Sequence, residues 1–172
     1  MNLIEIMDKN GIREFFSKNW MTHDAMWYGT CVQELGPEVA NQLNKTAVRL
    51  MAGLEIKRVA RLMGRPTDDP VTDFQELAKI IETTFGLVKA EFMGFDFSFT
   101  KKNLMQGRFK ECFAHTGVSK YGMIESYECG IVERIKGWLE GLGVSYVMEP
   151  NFEGCLMHET GKCKIDFRFE LV

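Results

Sequence analysis

Hydrophobic positions follow a helical period over the first half of the chain. Asn10 is placed to cap a short first helix, and Thr22 is placed to cap a second helix that ends at Gly36. Pro37 follows at once and fits the first turn of a third helix, because the N–H that proline lacks has no helical partner there. The pattern therefore predicts three successive helices before residue 65.

The third predicted helix carries one apolar stripe, and a fourth helix follows it. In the third helix the apolar side chains recur at spacings of four and seven residues, at Val39, Leu43, Leu50 and Leu54. This recurrence predicts that the stripe is buried. Thr72 and Gln75 have the spacing of a capping box, which predicts that the fourth helix begins there and ends at Gly86.

The second half of the chain changes to the two-residue alternation of strands. Phe95, Phe97 and Phe99 alternate with polar residues, and a cleaner alternation runs from Cys163 to Leu171. A long helical stripe lies between them. In chain order the predicted elements are a strand at 95–99, a strand at 109–113, a helix at 118–142, a strand at 144–148 and a strand at 163–171.

Helices followed by strands around one long helix predict an α+β fold, with the N-terminal helices packed on an antiparallel sheet. The length of 172 residues fits one domain. We expect a single domain over 1–172, helical over 1–87 and built from the antiparallel sheet and the long helix over 88–172.

Composition and charge narrow the class of function. Lys and Arg number 21 against 24 Asp and Glu, so the formal net charge is −3 and no basic excess favours nucleic acid. The first residues lack the basic start and long apolar run of a secretory signal. No stretch approaches the roughly 20 apolar residues of a membrane span. We therefore expect a cytoplasmic protein that binds neither nucleic acid nor membrane.

The five cysteines and three histidines supply the candidate chemistry. An odd number of cysteines without an export signal favours reduced thiols over disulfides. Cys155, His158 and Cys163 could supply three zinc ligands from one turn, because zinc prefers four nitrogen or sulfur ligands in a tetrahedron. Cys129 could supply the fourth if the long helix packs on that turn.

Two alternatives to this zinc site stay open. Free cysteines pack as small hydrophobes, and Cys163 lies on the apolar face of its predicted strand. Cys129 falls off the apolar stripe of the long helix unless Gly130 breaks the helix. Two residues separate Cys112 from His115. This pair is a candidate either for alternative metal ligands or for the nucleophile and base of a hydrolase.

The last third of the chain combines a helix cysteine, the Gly-rich helix end GWLEGLGVSYVMEP and a Cys-x7-Cys spacing before the final strand. These cysteines are Cys129, Cys155 and Cys163. With these features, residues 117–171 resemble the 4-vinyl reductase-type domain, a small-ligand-binding module. In its zinc-binding members, cysteines at these positions and an acidic residue three positions before the second cysteine hold the metal. Phe152 takes the acidic position here, so the resemblance implies that Glu153 or His158 completes the site.

Two further resemblances involve other segments. The ending Cys-x2-Asp-Phe-Arg-Phe from Cys163 is similar to that of the L-2-amino-thiazoline-4-carboxylic acid hydrolases, although Lys164 and Ile165 separate the Cys from the Asp here. The segment WMTHDAMWY, with the helices after it, is similar to a prokaryotic family of stand-alone cytosolic proteins. The first likeness implies a small hydrolase, and the second implies no particular function.

The expected function is the binding of a small apolar or aromatic molecule in a cavity between the helical half and the sheet. The residues expected to line that cavity are His23, Trp27, Phe92 and Phe95. The alternative is a hydrolase. Its catalytic pair would be either His23 as a base beside Asp24, or Cys112 as a nucleophile with His115 as its base. A dimeric interaction protein without catalysis is the third hypothesis, and a homodimer is compatible with the first as well.

Overall fold

The computed structural model describes residues 2–171. Its helices are α1 (Leu3–Ile6), α2 (Lys9–Leu35), α3 (Pro37–Leu62), α4 (Phe74–Val88), α5 (Phe113–Lys120), α6 (Gly130–Gly141) and α7 (Leu156–Thr160). Its strands are β1 (Phe95–Lys101), β2 (Leu104–Phe109), β3 (Ser145–Glu149) and β4 (Cys163–Glu170). A single 3-10 turn at Ile124–Ser126 lies between α5 and α6. The predicted α+β class is confirmed.

The four strands form one antiparallel sheet in the order β1-β2-β4-β3. The alternation predicted for the last strand is confirmed, because Cys163, Ile165, Phe167 and Phe169 are buried while the residues between them are exposed or half-buried. The second strand lies earlier than predicted. It ends at Phe109, which pairs with Cys163, and Phe113 begins α5 instead.

The two short helices predicted before residue 36 are one continuous helix. Asp8, not Asn10, caps α2, since its side chain accepts a hydrogen bond of 2.7 Å from the N–H of Gly11. Thr22 caps nothing and donates its hydroxyl to the carbonyl oxygen of Lys18 one turn earlier. The helix ends at Gly36, as predicted, and Pro37 opens α3.

The predicted burial of the α3 stripe is wrong. Leu50 is 69% exposed and Leu54 is 58% exposed, and Val39 and Leu43 are exposed as well. The buried face is the opposite one, which carries Ala52, Ile56 and Ala60 against α6 and the rest of the core. Small residues on this face allow a close helix crossing, so α3 buries its less hydrophobic side.

The single helix predicted over 118–142 is two helices. α5 ends at Lys120, where Gly122 adopts a φ of +70°, and α6 begins only at Gly130. This break places Cys129 at the N-cap of α6 rather than on a helix flank. The core lies between the sheet and the helices α3, α4 and α6, with Trp138, Phe167 and Ile56 fully buried in it.

Candidate functional site

The first half of α2 lies over an apolar cavity. Two contacts attach it to the segment around the end of α4: Arg13 donates a 3.0 Å hydrogen bond to the carbonyl oxygen of Gly86, and Glu14 accepts one from the N–H of Glu91. The helix thereby spans the gap between α3 and the α4–β1 segment.

The space under α2, called the main cavity below, is partly enclosed and partly open to solvent. Apolar side chains from six elements make up most of its wall, among them Met21, Met51, Phe85, Phe95, Phe113, Ile131 and Ile135. Two further spaces adjoin it: an α5 pocket that includes Phe92, Phe113 and Tyr121, and an outer pocket that includes His23, Trp27 and Ala47.

Three polar side chains lie where the main cavity meets the α5 pocket: Asp24, Asn44 and Tyr127. Asn44 is only 4% exposed, and its Oδ1 has no hydrogen-bond partner among the residues that the structure describes. Tyr127 is buried, and its hydroxyl oxygen accepts a 3.1 Å hydrogen bond from the N–H of Gly130. A Cβ atom at Gly130 would lie 3.1 Å from Asn44 Nδ2 and 3.6 Å from that hydroxyl, so the two polar groups flank the same glycine.

Burial dominates the electrostatics of Asp24. Desolvation raises the pKa of its carboxyl group above the ordinary value, although the positive charges of His23 and Arg134 act in the opposite direction. A carboxyl group with a raised pKa in a cavity is typical of a functional site.

A largely buried ion pair lies beside the cavity, and its arginine, Arg134, forms part of the wall. Arg134 donates two hydrogen bonds to the carboxylate of Glu55, of 2.9 Å and 2.6 Å, and both side chains are 15% exposed. Trp138 Nε1 donates to the same carboxylate at 2.8 Å. The guanidinium carbon of Arg134 lies 4.8 Å from the ring centroid of Trp20 and 5.5 Å from that of Trp138. The arginine is therefore satisfied by Glu55 and by two aromatic faces.

The four residues expected to line a cavity all lie around these spaces. Phe95 lines the main cavity, Phe92 lines the α5 pocket, and His23 and Trp27 line the outer pocket. Asp24 and Asn44 line all three spaces, so they lie at the junction.

A second cluster of chemically active side chains is the thiol cluster, defined as Cys112, Cys129, Cys155 and Cys163. The first three are the N-cap residues of α5, α6 and α7, and the fourth is the first residue of β4. All four are free thiols. The break before α6 and the pairing of Phe109 with Cys163 bring these four chain segments together at one end of the sheet.

The thiols of this cluster are close enough to influence one another electrostatically. Burial is the main cause that raises the pKa of Cys129 to about 12, and charge on Cys112, Cys155 and Cys163 contributes to this rise. Burial likewise raises the pKa of Cys163 to about 12 and moves that of Cys112 upward. Backbone N–H groups at the start of α5 and α6 counteract the shift at Cys112 and Cys129. Without a cation, these buried thiols are therefore protonated at neutral pH.

The other candidate metal ligands lie differently. His158 Nε2 is 3.2 Å from a carboxylate oxygen of Glu125, and its ring lies 6.2 Å from that of His115. Glu153 is exposed. Within residues 2–171, no three His, Cys, Asp or Glu side chains are already arranged around one point as metal ligands would be.

The two residue pairs suggested as catalytic groups of a hydrolase lie in different environments. His23 is exposed, and its charge acts on the neighbouring carboxyl of Asp24. Cys112 is buried, and its raised pKa disfavours the thiolate that a nucleophile needs. The hydrolase hypothesis stays a prediction.

Sequence reasoning missed four polar residues of the site: Asn44, Glu55, Tyr127 and Arg134. Asn44 and Glu55 are polar residues on α3, and they point away from the stripe that was predicted to be buried. If the opposite face of α3 is taken as the core face, Asn44 becomes a polar residue on an apolar face. A polar residue in such an environment is a signal for a binding site. Arg134 and Tyr127 gave no such signal, because the sequence predicted one continuous helix over 118–142 and therefore placed both residues on the surface of the same helix.

Among the helices that the structure describes, none combines the length and apolar character needed to span a bilayer. No protein-family model matches this chain, and no curated protein matches it in sequence. Among solved structures, the chain is similar to a trafficking protein particle complex subunit 3 from Naegleria fowleri covalently bound to palmitic acid. The similarity covers 85% of this chain and 92% of that one, with a TM-score of 0.49 and 17% sequence identity.

Proposed function

We propose that this protein binds a small apolar or aromatic molecule in the main cavity under α2. The observation that carries the proposal is the junction at Asp24 and Asn44, where buried polar groups project into an otherwise apolar space. Asn44 Oδ1 has no hydrogen-bond partner among residues 2–171, and a buried acceptor without a partner costs free energy. A wall of apolar side chains with a few convergent polar groups is the usual form of a ligand site.

Filling the cavity should abolish binding. Val48 lines both the main cavity and the outer pocket, so Val48→Phe places a larger side chain in the space that a ligand would occupy. We expect octanol, as an uncharged apolar probe, to raise the Tm of the wild type and to change the fluorescence of Trp20 and Trp138, which line the cavity. At about 100 times Kd, a ligand stabilises the folded state by about 2.7 kcal/mol.

The matched control is Leu50→Phe, because Leu50 lies two positions further along α3 and points to solvent. We expect Leu50→Phe to respond to octanol as the wild type does and Val48→Phe to show no response. An equal response from both variants would contradict binding in this cavity.

We also propose that zinc binds the chain, held by Cys129, Cys155 and Cys163, and that the fourth ligand is Cys112 rather than His158. Four thiols from three helix starts and one strand start form a soft donor set of the kind that zinc prefers, and their side chains would have to turn toward one point to complete a closed tetrahedral site. His158 has Glu125 and His115 as neighbours. Bound zinc would keep the thiols deprotonated and link the segments that carry α5, α6, α7 and β4.

Metal analysis of purified, untagged variants tests this site. We expect about one zinc per chain in the wild type, in His158→Ala and in Cys31→Ser, since Cys31 lies outside the thiol cluster. We expect its loss in Cys112→Ser and in Cys155→Ser. Zinc kept in Cys112→Ser but lost in His158→Ala would return the fourth position to the histidine. Wild-type protein without zinc would overturn the site itself.

The homodimer and the cytoplasmic location stay predictions. The exposed side chains of α3, including Leu50 and Leu54, are the observation that favours self-association, because a solvent-facing helix rarely carries such a stripe.

A further inference from the structure

We propose that the cavity selects ligands whose polar end is an amine. This inference rests on the proposed binding function and adds the chemical class of the ligand. The junction of the cavity and its adjoining pockets presents two hydrogen-bond acceptors: the carboxylate of Asp24 and the unpartnered Oδ1 of Asn44. A protonated primary amine carries three N–H donors and no acceptor, which complements this set.

The charges around the junction favour a cation. Arg134 also lines the main cavity, but the two hydrogen bonds that it donates to Glu55 and its contacts with two tryptophan rings leave it neutralised as a pair. Lys18, which lines the α5 pocket, lies 3.9 Å from a carboxylate oxygen of Glu14. Counting Arg134 and Lys18 as +1 each and Glu55, Glu14 and Asp24 as −1 each, these side chains together carry −1 when Asp24 is ionised. The remaining negative charge lies on Asp24, at the junction.

Other polar ends fit this junction less well. A carboxylate ligand would bring a second negative charge beside Asp24 and would offer no hydrogen to Asn44 Oδ1. An alcohol would donate one hydrogen bond and gain nothing from the charge of Asp24. We therefore expect the order amine, then alcohol, then carboxylate for ligands with the same apolar chain.

Three probes with one alkyl chain test this order: octylamine, octanol and octanoate, each below its micelle concentration at neutral pH. Binding is followed by the fluorescence of Trp20 and Trp138 and by the shift in Tm. Since a hydrogen bond to a charged group is stronger than one between neutral groups, we expect the wild type to bind octylamine at least about ten-fold more tightly than octanol. Octanoate should bind most weakly.

Two variants locate the preference. Asp24→Asn removes the charge at nearly constant volume, and Asn44→Leu removes the unpartnered acceptor. Each should reduce the preference for octylamine over octanol by about ten-fold. Asp68→Asn, an exposed substitution in the loop before α4, should behave as the wild type. The Tm without ligand checks folding. Asp24→Asn should not lower it, because burial disfavours the charged form of Asp24.

The possible results separate the two proposals. Equal affinity for octylamine and octanol, or a preference that survives both Asp24→Asn and Asn44→Leu, would overturn the amine inference and leave the binding function intact. No response to any of the three probes would overturn the binding function, and the amine inference with it.

Discussion

Replacing Glu55 with alanine is expected to lower the free energy of unfolding by about 3–5 kcal/mol, the largest effect that we predict for a single substitution. Glu55 accepts two hydrogen bonds from Arg134 and one from Trp138 Nε1, and it and Arg134 are each 15% exposed. Removing the carboxylate would leave a guanidinium group and an indole N–H in the core without their acceptor.

Chemical denaturation of a matched set measures this effect. Arg168→Ala breaks the ion pair between Arg168 and Glu149, in which both side chains are about 60% exposed, and should cost less than about 1 kcal/mol. The double variant Glu55→Leu with Arg134→Leu should recover much of the stability lost in Glu55→Ala, because replacing a buried ion pair by apolar groups is often neutral. A loss below about 1 kcal/mol in Glu55→Ala would mean that water reaches the pair and that it is not buried in solution.

The same pair is expected to affect the ligand selectivity proposed for the cavity. With Glu55 present, the charge of Arg134 is neutralised, and the carboxyl group of Asp24 determines the net charge at the junction. Glu55→Gln keeps the size of the side chain and an acceptor for Trp138 but removes the negative charge. If the variant folds, the free charge of Arg134 should reduce the preference for octylamine over octanoate. The ion pair thus links stability to the selectivity proposed for the cavity.

Gly137→Ala is expected to destabilise the protein by about 2 kcal/mol or more. Helices α3 and α6 cross so closely at this point that a Cβ on Gly137 would lie 2.6 Å from the carbonyl oxygen of Arg49 and 2.8 Å from the Cβ of Ala52. The first of these atoms is backbone and cannot turn away, so the helices would have to separate. Gly141, one turn later, faces Ile56 and Gly53 in the same way.

Gly86→Ala is the matched control for this substitution. Gly86 also lies within a helix, α4, but a Cβ there would meet no atom within 4 Å. Alanine favours the helix over glycine by about 1 kcal/mol, so Gly86→Ala should be neutral or slightly stabilising. Urea denaturation of both variants compares packing directly with helix propensity. A Gly137→Ala protein as stable as Gly86→Ala would show that the two helices separate at little cost.

Local patterns in the sequence were sufficient where one face of an element meets the core and the other meets solvent. The alternation from Cys163 to Leu171 predicted β4, and Phe95 to Phe99 predicted β1. The Gly36–Pro37 pair predicted the boundary between α2 and α3. Periodicity and turn residues determine such features within a few positions of the chain, so no distant contact is needed to identify them.

Periodicity predicted the wrong buried face for α3, because the face that packs in the core carries small residues instead of large ones. The stripe at Val39, Leu43, Leu50 and Leu54 is more hydrophobic than the face that is buried. Gly137 and Gly141 lie on α6, more than 75 residues along the chain from the Ala52–Ile56 turn that they contact. A hydrophobic pattern on one helix carries no information about the shape of the helix that will pack on it.

The sequence by itself determined the α+β class, most strand positions and the cysteines that are candidates for a metal site. The tertiary structure alone decided which side chains share a site. It joined Cys112 to the other three thiols, turned Asn44 inward beside Asp24 and paired Arg134 with Glu55. These partners are far apart along the chain, and the contacts between them depend on how whole helices pack. Local patterns describe which face of an element is apolar, whereas a site depends on which faces meet.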